Sequence, residues 1–191
     1  FDYTLTSLLD LGLVRKTGTL NRSAKFAYYG LADNLYAFYF GVVHPVLQFR
    51  DVFSVDDFFE RYIKRELETS FLPHAFEAIA QQFLIRRNRL GLNEPLFSEI
   101  GRVVYADPRR KINGEFDLVT RDEKGDTYYE CKYTEEAVGV SVVEEEERQL
   151  KKCGLPHYRL GFISRPGFAP GLEGKGYVLY SASDFFALEK K

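Results

Sequence analysis

The 191-residue sequence contains no methionine, only two cysteines and only three histidines. Two cysteines are too few for a disulfide framework, and neither they nor the scattered histidines have the spacing of a zinc site. No apolar run approaches the roughly 20 residues that cross a bilayer, and we expect no signal peptide. We therefore expect a soluble, cytoplasmic protein with no membrane contact. Because the chain opens on Phe1 in the middle of a helical pattern and lacks methionine, we also expect a fragment of a longer protein.

Charge and hydrophobicity limit the function further. Hydrophobic residues make up 45% of the chain, enough for one core and a small additional module. The net charge of −2 argues against a protein that coats nucleic acid by bulk electrostatics. One segment is locally basic although the whole chain is not, since residues 86–111 contain seven basic and three acidic side chains. This patch predicts nucleic-acid contact, and a solvated surface is the alternative interpretation.

The most informative motif is a pair of predicted strands that carry charge where strands usually bury side chains. In 114–119 the alternation predicts Phe116 and Leu118 on one face, and Glu115, Asp117 and Val119 on the other. In 128–133 it places Glu130 and Lys132 on one face with Tyr128. A turn over 122–126 joins the two strands. Two acids and a lysine are therefore predicted to converge.

The E-x-K spacing alone is weak evidence, because it occurs three times in the chain. Residues 173–175 lie in a glycine-rich loop and residues 189–191 at a charged terminus. Only 130–132 lies within β-forming residues and follows a second strand that carries an aspartate. The predicted hairpin, rather than the triplet, makes the motif specific.

The front of the chain predicts a helix over 3–11 ended by Gly12, then strands over 13–16 and 25–29. This order is typical of the second half of a winged helix. Four basic residues of the hairpin, Arg15, Lys16, Arg22 and Lys25, could contact phosphates, although winged helices also dock proteins. An aromatic helix is expected to end near His44-Pro45, and Ser54 with Asp57 predicts a capping box.

The remainder predicts alternating helices and strands. A helix from Pro73 carries Glu77 and ends near Arg86 and Arg87. The later elements are strands over 97–105, 158–163 and 177–180, a helix opened by a capping box at Ser141 and ended at Gly154, and a terminal helix capped by Ser183. The acidic run 144–147 is expected to be an exposed first turn. After residue 70 the order is α, β, β, β, α, β, β, α.

This order, with Asp117 followed by Glu130-Cys131-Lys132, resembles the core of the PD-(D/E)XK restriction-endonuclease-like superfamily, although the proline before the aspartate is replaced by Phe116. The segments 8–14, 29–33, 76–77, 115–117 and 130–133 together resemble the C-terminal half of archaeal-type AAA ATPases. That resemblance implies a fold of class α/β, with a central mixed sheet flanked by helices. It divides the chain into a partial winged helix (1–31), a helical linker (32–69) and a nuclease-like domain (70–191).

The resemblance also implies roles for individual residues. Asp117 and Glu130 would hold Mg²⁺ or Mn²⁺, Lys132 would act on the attacking water or the developing charge, and Glu77 and Gln149 are further candidates. The candidate DNA contacts are Arg15, Lys16, Arg86, Arg87, Arg102, Arg109 and Arg110. ATP would bind only the missing N-terminal ATPase domain, since the chain has no phosphate-binding loop motif, and oligomers would form through that domain.

Two interpretations of the cluster stay open at this stage. It is either a metal-dependent deoxyribonuclease site, or a buried salt-bridge cluster in a domain that regulates the ATPase through DNA or protein contacts without catalysis.

Overall fold

The computed structural model describes residues 2–20 and 27–187. The chain forms two compact units. The first contains the described residues of 1–18 and 24–75, and the second those of 19–23 and 76–191. The predicted three-part division of the chain stays a prediction. None of the described helices is long and apolar enough to cross a membrane.

The first unit begins with a helix and a β-hairpin, as expected. Helix α1 spans Asp2–Asp10, and strands β1 (Val14–Thr17) and β2 (Tyr28–Leu31) pair antiparallel. Gly12 follows the helix with a left-handed φ of +69°, which glycine adopts without strain. The second strand lies later than the predicted 25–29. Arg22 and Lys25 lie outside the described residues.

The rest of the first unit is helical. Helices α2 (Asn34–Phe38), α3 (Val55–Phe58) and α4 (Lys64–Glu66) are separated by wider π-helical turns and a 3₁₀ helix over His44–Val52. The helical run that begins at Asn34 ends at Val43, next to the expected end at His44-Pro45. A 3₁₀ helix follows with Pro45 in its first turn, where a missing N–H costs nothing. The Ser54 cap is confirmed, since its hydroxyl accepts from the Asp57 N–H at 3.2 Å.

The second unit contains a five-stranded mixed sheet with a long helix before it. Helix α5 spans Leu72–Arg89, of which residues 76–89 belong to this unit, and the strands stand side by side in the order β3-β4-β5-β6-β7. Strands β3, β4 and β5 are antiparallel neighbours, whereas β6 runs parallel to β5 and β7 parallel to β6. Their bounds are β3 Glu99–Asp107, β4 Ile112–Asp122, β5 Gly125–Lys132, β6 Arg159–Ser164 and β7 Val178–Ser181.

The parallel step from β5 to β6 requires a crossover, and helix α6 (Val140–Cys153) supplies it. Gly154 ends this helix in the left-handed conformation, as predicted. The predicted cap at Ser141 is wrong, because the helix starts two residues earlier than that cap requires and Gly139 is its N-cap. Up to residue 187, where the described residues end, the predicted terminal helix is a single 3₁₀ turn over Ala182–Phe185, capped by Ser181 rather than by Ser183.

A helix covers each face of the sheet. Val143 and Leu150 of α6 belong to one buried cluster with Phe116 and Phe162. On the other face, α5 contributes a second cluster with partners from β4, β5 and β6, which contains Phe76, Ala80, Phe83, Leu84, Leu118, Tyr129 and Ile163. The expected mixed α/β sheet flanked by helices is therefore confirmed at this level.

Strand β4 contains a β-bulge that the alternation pattern did not predict. Gly101 pairs with Val119 and Val103 with Phe116, so two residues of β4 oppose the single residue Arg102 of β3. The extra residue breaks the two-residue period. Phe116 and Val119 consequently lie in the α6-side cluster, and Leu118 lies in the α5-side cluster. The prediction that Phe116 and Leu118 share a face, with Val119 opposite, is wrong.

Gly161 of β6 is required by a close contact on the α5 side. A Cβ atom there would lie 2.4 Å from the Tyr129 ring. We expect Gly161→Ala to lower the free energy of unfolding by about 1–3 kcal/mol through overpacking. Urea unfolding measures the change. The matched control is Gly101→Ala, since a Cβ there would meet its nearest neighbour at 3.6 Å. Equal stability for the two variants would contradict the prediction.

Candidate functional site

The bulge in β4 aims the Asp117 side chain at the neighbouring strand. The β4–β5 ladder begins at the pair Leu118 and Tyr129, and Asp117 lies just before it. At this position Asp117 Oδ2 accepts a hydrogen bond from the Cys131 N–H at 3.1 Å. The side-chain carboxylate therefore bonds to the β5 backbone where a regular ladder would use a backbone carbonyl of β4. One hydrogen bond therefore fastens the first predicted site residue to the Glu130-Cys131-Lys132 segment.

Glu130 and Lys132 lie on the same face of β5, two residues apart, and form an ion pair. Lys132 Nζ donates to Glu130 Oε1 at 2.5 Å. The two side chains are 16% and 30% exposed, so the pair is shielded but reachable from solvent. Asp117 is also close, since its charge raises the pKa of Glu130. The structure thus brings together the three residues that the sequence analysis singled out.

Burial and charge set the protonation of this cluster. Burial, and then the charge of Asp117, raise the pKa of Glu130 to about 7. Burial also raises the pKa of Asp117, against the opposing hydrogen bond from Cys131 and the charge of Arg102. For Lys132, burial disfavours the charged form, but the charge and hydrogen bond of Glu130 outweigh it and raise the pKa. The carboxylates of Asp117 and Glu130 therefore repel each other beside the ammonium group of Lys132.

Glu146 is a fourth member of the cluster that the sequence analysis missed. Its Oε1 lies 3.9 Å from Lys132 Nζ, and its side chain is only 12% exposed. The expectation that the whole run 144–147 is an exposed first turn is therefore wrong for this residue. A signal was present, because Val143, Glu146, Leu150 and Cys153 follow one another at helical spacing and the other three are buried.

Glu77 and Arg102 form a second charged group on the α5 side. Arg102 makes an ion pair with Glu77 through Nη2 and donates to Glu115 Oε1 at 2.9 Å through Nη1. Arg102 is 26% exposed, and its charge opposes the burial that raises the pKa of Asp117. In this structure Arg102 therefore pairs with two carboxylates of its own chain, although the sequence analysis predicted that it contacts DNA. Glu77 lies in the same unit as Asp117 and is engaged with Arg102.

Gln149 of α6 contacts the strand that carries Asp117. Its Nε2 donates to the Glu115 carbonyl at 3.1 Å. This bond ties the crossover helix to β4 two residues before Asp117. Through this contact Gln149 positions α6 against β4. Its predicted role in an active site stays a prediction.

The other predicted DNA contacts differ in their surroundings. Arg87 is part-buried, donates to the Leu92 carbonyl at 2.8 Å and lies over the Tyr180 ring. The remaining residues of the prediction are exposed, namely Arg15, Lys16, Arg86, Arg109 and Arg110. Arg87 thus holds a loop in place, whereas the exposed residues are accessible to phosphates.

The cluster suits a hard cation in its donor chemistry, since Asp117 and Glu130 supply carboxylate oxygens and their repulsion would be relieved by a bound cation. Within residues 2–20 and 27–187, however, no three His, Cys, Asp or Glu side chains are grouped so as to hold a metal ion. An ion here would have two protein carboxylates and keep several waters, which Mg²⁺ tolerates.

A family model of archaeal and bacterial proteins of unknown function, DUF234, matches residues 39–150. The chain belongs to this family. The matched region includes Asp117, Glu130, Lys132 and Glu146, so the whole acidic cluster lies within the part of the chain that defines DUF234.

Comparison with other proteins adds little to the DUF234 assignment. A crystal structure of a protein of unknown function, AF1548, is 18% identical and covers 55% of this chain, which spans 59% of that protein. The TM-score is 0.39. No curated protein matches the chain.

The raised pKa of Glu130 predicts how stability depends on pH. Because the folded-state pKa of about 7 exceeds the ordinary value of 4.5, folding is weakened as pH rises through this interval. We expect the DUF234 protein to lose on the order of 1–3 kcal/mol of unfolding free energy between pH 4.5 and 8 from this group. Urea unfolding across this range, compared with Glu130→Gln, isolates the contribution.

Glu144→Gln is the matched control, since Glu144 is an exposed acid on α6. It should keep the pH dependence of the wild type, whereas Glu130→Gln should flatten it. The same slope in all three proteins would contradict the assignment.

Proposed function

We propose that this protein carries a PD-(D/E)XK nuclease-like domain over residues 70–191 and hydrolyses phosphodiester bonds of DNA with Mg²⁺ or Mn²⁺. The observation that carries the proposal is the bulge in β4, which fastens Asp117 to β5 beside Glu130 and Lys132. The topology also supports it. A helix, an antiparallel three-strand meander and a crossover helix leading to a parallel strand follow the order of that superfamily.

Asp117 and Glu130 would hold the cation, which supplies Lewis-acid polarisation of the phosphoryl oxygen. Lys132 has a raised pKa and stays protonated at neutral pH. It therefore acts as a positive group that orients the attacking water or stabilises the developing charge. If the Glu130 carboxylate binds the metal ion, Glu146 remains as an ion-pair partner for the ammonium group of Lys132.

The proposal extends to partners. The sequence resemblance to archaeal-type AAA ATPases supports an attached N-terminal domain that binds ATP and forms oligomers. The exposed basic residues Arg86, Arg109 and Arg110 of the second unit, and Arg15 and Lys16 of the first, supply phosphate contacts that carry no base specificity.

Cleavage assays test the catalytic proposal. The full-length protein is incubated with ATP and Mg²⁺ or Mn²⁺ on single-stranded, double-stranded and branched DNA. We expect metal-dependent cleavage that Asp117→Asn lowers on the order of 100-fold, the loss typical of removing one electrostatic contributor to the transition state. Asp56→Asn, at an exposed acid of α3, is the control. Cleavage that survives Asp117→Asn would have to come from another site.

Metal binding is tested apart from cleavage by titrating Mn²⁺ and following its electron paramagnetic resonance signal. We expect Asp117→Asn and Glu130→Gln each to weaken binding about tenfold or more, since each removes one of two charged ligands. Glu144→Gln should leave it unchanged. Binding that is equal in all three variants would exclude these carboxylates as the ligands.

A catalytically silent module that binds DNA or protein and regulates the attached ATPase is the second candidate. It is favoured by the ion pairs that Lys132 forms with Glu130 and Glu146, and by the engagement of Glu77 with Arg102. Under this alternative, Mn²⁺ does not bind at Asp117, DNA is not cleaved, and substitution of Asp117 alters stability alone.

A further inference from the structure

Five exposed basic side chains lie together where the turn between β3 and β4 contacts the last turn of α6. The turn contributes Arg109, Arg110 and Lys111, and the helix contributes Lys151 and Lys152. We name these five residues the turn–helix patch. Arg110 Nη2 donates to the Lys152 carbonyl at 3.5 Å, across 42 positions of the chain. The basic segment 86–111 therefore continues in space onto α6.

The close approach of α6 to β4 depends on Gly114, near the start of that strand. A Cβ atom there would lie 2.7 Å from Cys153 Sγ, so a larger residue would push the end of the helix away. Cys153 is buried. The charges of Lys152 and Arg110 both act on its thiol, where they oppose the burial that raises its pKa. Core packing therefore holds the two parts of the patch side by side.

Asp107 fixes the shape of the turn that carries the other three cations. Its Oδ1 accepts from the Arg109 N–H at 3.0 Å and from the Arg110 N–H at 3.1 Å. Lys111 follows with a left-handed φ of +53°, which turns the chain back into β4. The side chains of the three basic residues are exposed. The turn thus presents three cations to solvent from a defined backbone.

No carboxylate within residues 2–20 and 27–187 forms an ion pair with any member of the turn–helix patch. Glu147 lies one helical turn before Lys151, but it accepts from the Tyr177 hydroxyl at 2.6 Å. Other basic residues of the second unit pair with two acids each, namely Arg102, Arg121 and Lys132. The patch is therefore a surface of one charge sign whose cations are open to an external anion.

The arrangement favours a partner with regularly spaced negative charges. Lysines in a last turn complement the helix dipole, which accounts for Lys151 and Lys152 but not for the three cations of the turn. Nucleic acid carries a phosphate at every nucleotide, and contacts to phosphates position the duplex without reading its sequence. The patch also lies near the acidic cluster, since Glu146 and Lys152 are both on α6, about 9 Å apart along its axis.

We propose that the turn–helix patch binds the phosphate backbone of DNA and holds the strand next to the acidic cluster, without base specificity. The choice of DNA as the polyanion rests on the proposed nuclease function. The patch adds Lys111, Lys151 and Lys152 to the phosphate contacts expected of Arg109 and Arg110, and it makes all five one surface.

DNA binding of the full-length protein tests this proposal. Fluorescence anisotropy of a labelled duplex is measured over a range of salt concentrations, with EDTA present and ATP absent. We expect the double variant Lys151→Gln/Lys152→Gln to bind about tenfold more weakly at low salt. The slope of log K against log salt should fall by about 2, because each lost phosphate contact removes about 0.9 from it.

Arg109→Gln and Lys124→Gln form a matched pair at the two ends of β4. Each residue is exposed in a turn, and its backbone N–H donates to the aspartate two positions earlier, Asp107 or Asp122. Only Arg109 belongs to the patch. Arg109→Gln should lower the salt slope by about 1, and Lys124→Gln should leave it unchanged. If the α6 double variant does not fold, this pair still decides the outcome.

The proposal is overturned if the wild type binds no DNA, if the patch variants bind like the wild type, or if Lys124→Gln and Arg109→Gln lose equally. Patch-dependent binding to phosphatidylserine vesicles without DNA binding would also overturn it, in favour of a membrane surface. EDTA separates binding from catalysis. Metal-dependent cleavage with unchanged DNA affinity in the patch variants would retain the nuclease proposal and reject this one. Patch-dependent DNA binding without cleavage would do the reverse.

Discussion

One extra residue in strand β4 is the constraint on which the acidic cluster depends. Opposite Arg102, two residues of β4 occupy the space of one, and the strand leaves its regular alternation there. A regular strand would have placed Asp117 and Val119 on one face. With the bulge, Val119 enters the core and the Asp117 carboxylate reaches the Cys131 N–H instead. The bulge thus lets the Asp117 carboxylate bond to β5 while β4 and β5 stay paired in the sheet.

The charged residues around the bulge form two groups of ion pairs. On the α6 side, Lys132 lies between Glu130 and Glu146, and on the α5 side Arg102 lies between Glu77 and Glu115. Each group places one cation between two carboxylates. The cations offset part of the cost of burying acids at the edge of the core. The residual repulsion appears in the raised pKa of Glu130, and a bound cation would relieve it.

Local signals predicted the regular elements well. Alternation, glycines and hydrophobic spacing identified the β4–β5 hairpin, the end of α6 at Gly154 and the order of elements after residue 70, because each depends on neighbouring residues. Signals that depend on a single side chain were less reliable. Ser141 looked like a cap but lies inside α6, and Ser183 looked like a cap but Ser181 holds that position.

The sequence by itself determined the α/β class, the hairpin that joins Asp117 to Glu130 and Lys132, and the absence of a phosphate-binding loop motif. Only the tertiary structure decided the partners of these residues. Register is set by two strands together, so the bulge opposite Arg102 could not be read from β4 alone. Glu146 becomes a member of the cluster only because α6 crosses the sheet at Lys132. Long-range contacts of this kind depend on how the chain packs, whereas composition and periodicity report only on neighbouring residues.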